Sequence, residues 1–232
     1  MKARSNLAIA LLSALTLLCS SAALAAGSGG GGGGATTSHA GVAPRTPEEL
    51  AARNYKSGLK QKDKALKALD RAGEAKNDKA KLKQEKKANK AFAKAASHFK
   101  KVLQHEPRHY KAANELGYSL RNTGDYQNAV GAYNYALQLK PDFLEAIEYR
   151  GEAFVALGLF EQARKSYLRL YREDQTLAAQ LMSAMSAWAE NRSAGEAVLT
   201  EGEQKFADWI AERQRLVGFS ANPDAEPSAQ RW

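Results

Sequence analysis

The sequence predicts an all-α chain of antiparallel helix hairpins stacked as a solenoid, opened by a long basic hairpin and closed by a pair of capping helices. Three observations predict it. From Thr46 to about Leu216 the chain is rich in Ala, Leu, Lys, Glu and Gln, and no run alternates apolar and polar residues as a half-buried strand would. Sliding the sequence by 34 residues lays Pro107 on Pro141, Gly117 on Gly151 and Gly124 on Gly158. The same slide carries Phe92 to Tyr126 to Phe160, Ala95 to Ala129 to Ala163, Phe99 to Tyr133 to Tyr167, and Val102 to Ala136 to Leu170. A period of that length marks one supersecondary unit that buries its apolar face only against its neighbours.

Both ends of the 232-residue chain lie outside the repeats. Residues 1–25 place Lys2 and Arg4 before an apolar run from Leu7 to Leu18 and then Ala23-Leu24-Ala25, the three-part plan of a secretory signal peptide. The only cysteine, Cys19, lies inside it, so the mature chain has neither disulfides nor thiol chemistry. Residues 26–45, with glycines from Gly29 to Gly34, read as a flexible leader; no Lys-Ser or Lys-Thr pair follows them as in a phosphate-cradling loop. Residues 218–232, rich in Pro, Ala and Ser, read as a disordered tail.

The folded part opens at Thr46-Pro47-Glu48-Glu49, a capping box with Pro47 at the first helical position. Residues 46–106 are expected to form an extended basic hairpin containing a degenerate repeat, roughly Pro47 to Ala72 and Asp78 to Gln104, turning near Gly73 to Asn77. Residues 107–177 hold the two clear repeats, in which Gly124 and Gly158 close the first helices through a left-handed turn. Residues 178–217 carry the capping pair, Thr176 to Glu190 and Ala194 to Val217, the second opened by a Ser193/Glu196 box and carrying a Leu199, Phe206, Trp209, Ile210, Val217 stripe.

Residues Tyr110 to Phe143 and Leu144 to Leu177 resemble the tetratricopeptide repeat, with Leu116-Gly117, Ala129, Tyr133, Ala136 and Pro141 at that family's spacing. The second copy departs where Arg150 replaces Leu116, a charge at a normally buried position that must reach water or a carboxylate. His105-Glu106-Pro107-Arg108-His109 matches H-E-x-x-H in letters, the zinc-protease pattern, but Pro107 breaks the continuous helix that such a site requires. No histidine follows His109 to supply a third ligand, and the segment aligns with the inter-repeat turn Leu139 to Phe143. A zinc metalloenzyme is therefore a distant alternative, and no catalytic residue, metal or cofactor is assigned.

The resemblance implies a concave surface lined by the first helix of each repeat. By position that groove carries Lys111, Asn114, Tyr118 and Asn122 from one unit and Glu145, Glu148 and Glu152 from the next. The glutamates could receive a Lys- or Arg-bearing peptide, or be ordinary solvated helix residues.

Charge is uneven. From Lys56 to Lys101 sixteen Lys or Arg face five acidic residues, about +11, against +9 for the whole chain. Lys79, Lys83, Lys86, Lys87, Lys90 and Lys94 make a basic arm, either a solvated face or a surface for an anionic partner. Few aromatics interleave these lysines, so nucleic acid is not expected as a partner. The expectation is a non-enzymatic adaptor or assembly factor of the bacterial envelope, periplasmic or secreted, that holds a protein or peptide in its groove. The alternative is a surface-binding protein whose basic hairpin meets an anionic membrane or polymer.

Overall fold

A computed structural model describes residues 45–195 and 198–221, with side chains as far as residue 216. The expected signal peptide, nearly all of the leader, Glu196, and the tail beyond Ala221 lie outside the described residues. Among the described residues there are eight helices and no strand: α1 Pro47–Gly73, α2 Asp78–His105, α3 Tyr110–Asn122, α4 Tyr126–Leu139, α5 Leu144–Ala156, α6 Phe160–Glu173, α7 Gln175–Ser193 and α8 Glu201–Ala221. Successive helices pair as hairpins, and each hairpin packs on the next, so the fold is a tetratricopeptide-like array.

The starts and stops follow from local chemistry. Thr46 caps α1 through a reciprocal box with Glu49, and Pro47 sits where a missing N–H costs nothing. Asn77, Asp125 and Asp174 accept from the first free N–H groups of α2, α4 and α7. After α3 and α5, Gly124 and Gly158 adopt φ of +85° and +70°, a conformation costly for any residue with a Cβ.

The register of the repeat is visible in the core. Ala95, Ala129 and Ala163 are fully buried, as are Val102, Ala136 and Leu170, while Phe99, Tyr133 and Tyr167 fill the space beside them. A Cβ at Gly117 would stand 2.6 Å from the Tyr133 ring, and one at Gly58 would stand 2.6 Å from the Phe99 ring. The two contacts are the same contact in successive units, so α1–α2 is a full repeat whose register glycine is Gly58. From Gly58 to Phe92 the chain takes 34 residues where the next unit, Gly117 to Tyr126, takes nine. The extra 25 lengthen both helices beyond the repeat, and there the seam is closed mostly by Ala65, Ala68, Ala88 and Ala91, with Ala72 buried near the turn.

The bounds of the second closing helix differ from those expected. The second closing helix does not start at Ala194: Ser193 ends α7, and α8 starts at Glu201 behind Thr200. Thr200 and Glu203 make the reciprocal cap there, and Arg192 grips the Glu203 carboxylate with two bonds of 2.8 and 2.9 Å. That clamp holds the ends of α7 and α8 together, so the helix begins where the capping oxygen is anchored. The helix then buries Phe206, Trp209 and Ile210 and runs to Ala221, past the expected onset of the tail at 218. Arg150 finds no carboxylate: it donates to Asn134 Oδ1 at 2.7 Å and lies over the Phe154 ring.

Candidate functional site

The first helices α1, α3 and α5 form the face on which a ligand was expected, and α3 and α5 touch directly. Arg121, in the last turn of α3, joins them. It pairs with Glu152 of α5, and its guanidinium lies 5.3 Å from the Tyr118 ring centre and 5.4 Å from that of Tyr149. On the α1 side, Lys62 pairs with Glu115 at 2.7 Å and stands 4.2 Å over the other flank of the face, the Tyr118 ring. Tyr118 is therefore the centre of the face, bordered by two cations, and it meets Phe92 and Tyr149 edge-on at 6.0 and 5.2 Å. Cations over aromatic rings in a partly dry site gain more than in water, which fixes these side chains in place.

Beneath this layer lie polar atoms without partners. Glu148 is 1% exposed, and neither carboxylate oxygen accepts a hydrogen bond among the described residues. Burial pushes its carboxyl up to about 7, with Arg121 acting against the shift. Asn114 Oδ1 and Arg121 Nε are also buried and unpartnered among the described residues, while the Tyr133 hydroxyl lies against the Arg121 guanidinium. Burial raises the phenols of Tyr118, Tyr133 and Tyr149 above their ordinary range, so all three stay neutral donors at physiological pH. Among the described residues of this face, unpaired buried acceptors outnumber unpaired buried N–H donors.

The residues singled out from sequence are distributed unequally. Tyr118, Glu148 and Glu152 meet at the α3–α5 contact, and Asn114 is buried in α3 one turn earlier. Lys111 and Glu145 are exposed, so Glu145, Glu148 and Glu152 are not one open acidic row. Asn122 is spent locally, donating to the Tyr118 carbonyl at 2.8 Å. The basic-arm residues Lys79, Lys83, Lys86, Lys87, Lys90 and Lys94 are all exposed on α2.

Sequence reasoning passed over Lys62, Glu115, Arg121 and Tyr149. A signal existed: once Gly58 is aligned with Gly117, Lys62 and Arg121 fall at the same place, four residues after the glycine. The H-E-x-x-H letters are split between elements. His105 ends α2, Glu106 follows it, and His109 caps α3 by accepting from the Ala112 N–H at 3.1 Å. Among the described residues no three His, Cys, Asp or Glu side chains gather as a metal site would need.

No protein-family model and no curated protein matches the chain. Solved structures do resemble it. The TPR domain of Sgt2 from Aspergillus fumigatus is 15% identical over 75% of this chain and 87% of that one, with a TM-score of 0.36. The MamA protein is 15% identical over 79% of this chain and 100% of that one, with a TM-score of 0.43. Likenesses this loose carry no ligand and no residue role across to this chain.

Proposed function

We propose that the protein is a non-enzymatic adaptor that holds an extended peptide of a protein partner across α1, α3 and α5, with a Lys or Arg of that peptide displacing Arg121 from the layer that covers Glu148 and taking its place beside that carboxylate. The observation that carries this reading is the buried carboxylate of Glu148 with both oxygens unpaired, beside Tyr118 and Tyr149. An unpaired buried carboxylate is costly, and a cationic donor relieves the cost that a neutral or acidic side chain would increase. The Tyr118 and Tyr149 rings add apolar and cation-attracting surface for the stem of such a side chain.

The test is fluorescence anisotropy with short extended peptides identical except for one central residue, Lys, Arg, Leu or Glu. Binding should favour Lys and Arg, and Glu148→Gln should weaken those two by tenfold or more while leaving the weak Leu peptide unchanged. Preference for the Glu peptide, or equal binding of all four, would overturn the reading. The adaptor is further proposed to work in the bacterial envelope, a reading supported by the charged, apolar and small-residue order of residues 1–25. A carboxy-terminal alkaline phosphatase fusion should be active in cells; an inactive fusion that accumulates in the cytoplasm would refute export.

A further inference from the structure

The inserted part of the first hairpin presents a feature that the groove does not use. On α2, Lys79, Lys83, Lys86, Lys90 and Lys94 recur at steps of three and four, and Lys87 and Lys101, four and seven residues from Lys83 and Lys94, fall on the same helix face. That face is opposite the buried Ala88, Ala91, Phe92, Ala95 and Phe99. From Lys79 to Lys101 the row is about 33 Å long at 1.5 Å per residue. No acidic residue interrupts it: the only acids of α2 are Asp78 and Glu85, and none of these seven lysines has an ion pair among the described residues. Like charges three or four apart repel one another and work against the helix, whereas ordinary solvated helices intersperse Glu to relieve this. The two terminal segments offer little to neutralise the row, because residues 1–47 contain no Asp or Glu and residues 222–232 contain two.

Within the row, Leu82 is 49% exposed and shares a shallow surface groove with Lys79, Lys83 and Lys86. We infer that this face of α2 is a peripheral docking surface for a bilayer rich in anionic phospholipid, with the lysine row on the headgroups and Leu82 entering the interface. The residue types decide the class. Lysine is a compact point charge that attracts phosphate without demanding a fixed geometry, and α2 contains no arginine. No aromatic side chain stands in the row to stack a base. A soluble polyanion would gain nothing from Leu82, whereas the interface of a bilayer accepts a leucine. Contact is by lying on the surface, since no helix among the described residues is long and apolar enough to cross. The inference is independent of the peptide groove.

The experiment is vesicle co-sedimentation of the full chain with phosphatidylcholine alone and with one third phosphatidylglycerol. Every variant shares the apolar residues 1–25, so differences between variants report on α2. At about fivefold per lysine near an anionic surface, K79Q/K83Q/K86Q/K90Q should lower partitioning to the anionic vesicles by a hundredfold or more, with helical circular dichroism unchanged. Leu82→Ser should lower it severalfold, and raising salt tenfold should release the wild-type chain. A lysine variant that binds the anionic vesicles as wild type would overturn the proposal. So would tight binding of inorganic polyphosphate that ignores Leu82→Ser and competes with no vesicle. Self-association lost in the lysine variant, with no vesicle binding, would assign the row to a second copy's acidic surface instead.

Discussion

Gly117 and Gly151 occupy the same repeat position and meet different neighbours. A Cβ at 117 would strike the ring of Tyr133, which is fully buried and cannot swing away, at 2.6 Å. At 151 the nearest atoms are the branched end of the Leu181 side chain, equally buried but able to shift by rotating about its two side-chain bonds where a ring is flat and stiff. Overpacking costs roughly 1–3 kcal/mol, and alanine returns up to about 1 through helix propensity. Gly117→Ala should therefore lose about 1–2 kcal/mol and Gly151→Ala clearly less, read from urea midpoints; a larger loss at 151 would show that the ring adapts and the leucine does not. Glu148 makes a pH prediction. Its carboxyl is ionised only above about 7 in the fold but from 4.5 when free, so the folded state holds the extra proton between those values. The associated stability is complete below pH 4.5, is lost as pH rises to about 7, and is flat beyond, amounting to roughly 3 kcal/mol at most. Glu203, drawn down to about 2 chiefly by its bond from Arg192, acts in the opposite sense and only below pH 4.5. Urea unfolding at pH 5 and pH 8 should show the wild type losing stability and Glu148→Gln nearly level; parallel losses would mean that Glu148 is not the titrating group.

At the scale of elements, the first hairpin has two unlike halves. Its repeat half buries Phe99 and Val102 against α3 and α4, while its inserted half is closed chiefly by alanines with Leu66 and Leu69 partly covered. An alanine buries little area, and stabilisation scales with apolar area removed from water, about 25 cal/mol per Å2. Amides of residues 64–86 should exchange with solvent faster than those of 95–103, measured by native-state hydrogen exchange; uniform protection along α2 would mean that the hairpin opens as one unit. The bounds of these helices were open to sequence reasoning because caps and breakers are local: Thr46 with Glu49, Pro47, Asn77 and Gly124 each act within four residues. The start of α8 was not, because Ser193/Glu196 and Thr200/Glu203 are both sound capping boxes in letters. Arg192 grips Glu203 across eleven residues, a contact that exists only once α7 and α8 are side by side.

Across the molecule, the core is divided. One cluster runs from α1 to α5 and a second from α5 to α8, where Ile147, Tyr167 and Leu170 pack with Leu181, Met185, Trp188 and Trp209. In such arrays stability is close to a sum over neighbours. A chain ending at Glu173 should lose exchange protection in α5–α6 while α1–α4 keep theirs; undiminished protection in α5–α6 would refute the division. The sequence by itself determined the all-α class, the 34-residue register and the positions of the hairpin turns, because glycine, proline and the alternation of small and large residues act through backbone geometry and short-range packing. Only the tertiary structure decided which polar residues of the first helices pair with one another and which are buried. Lys62 meets Glu115 from 53 residues away and Arg121 meets Glu152 in the next repeat, while Glu148, placed by its position on an open acidic row, is 1% exposed. Burial of a side chain is a property of the helix that comes to lie over it, and no residue carries that information alone.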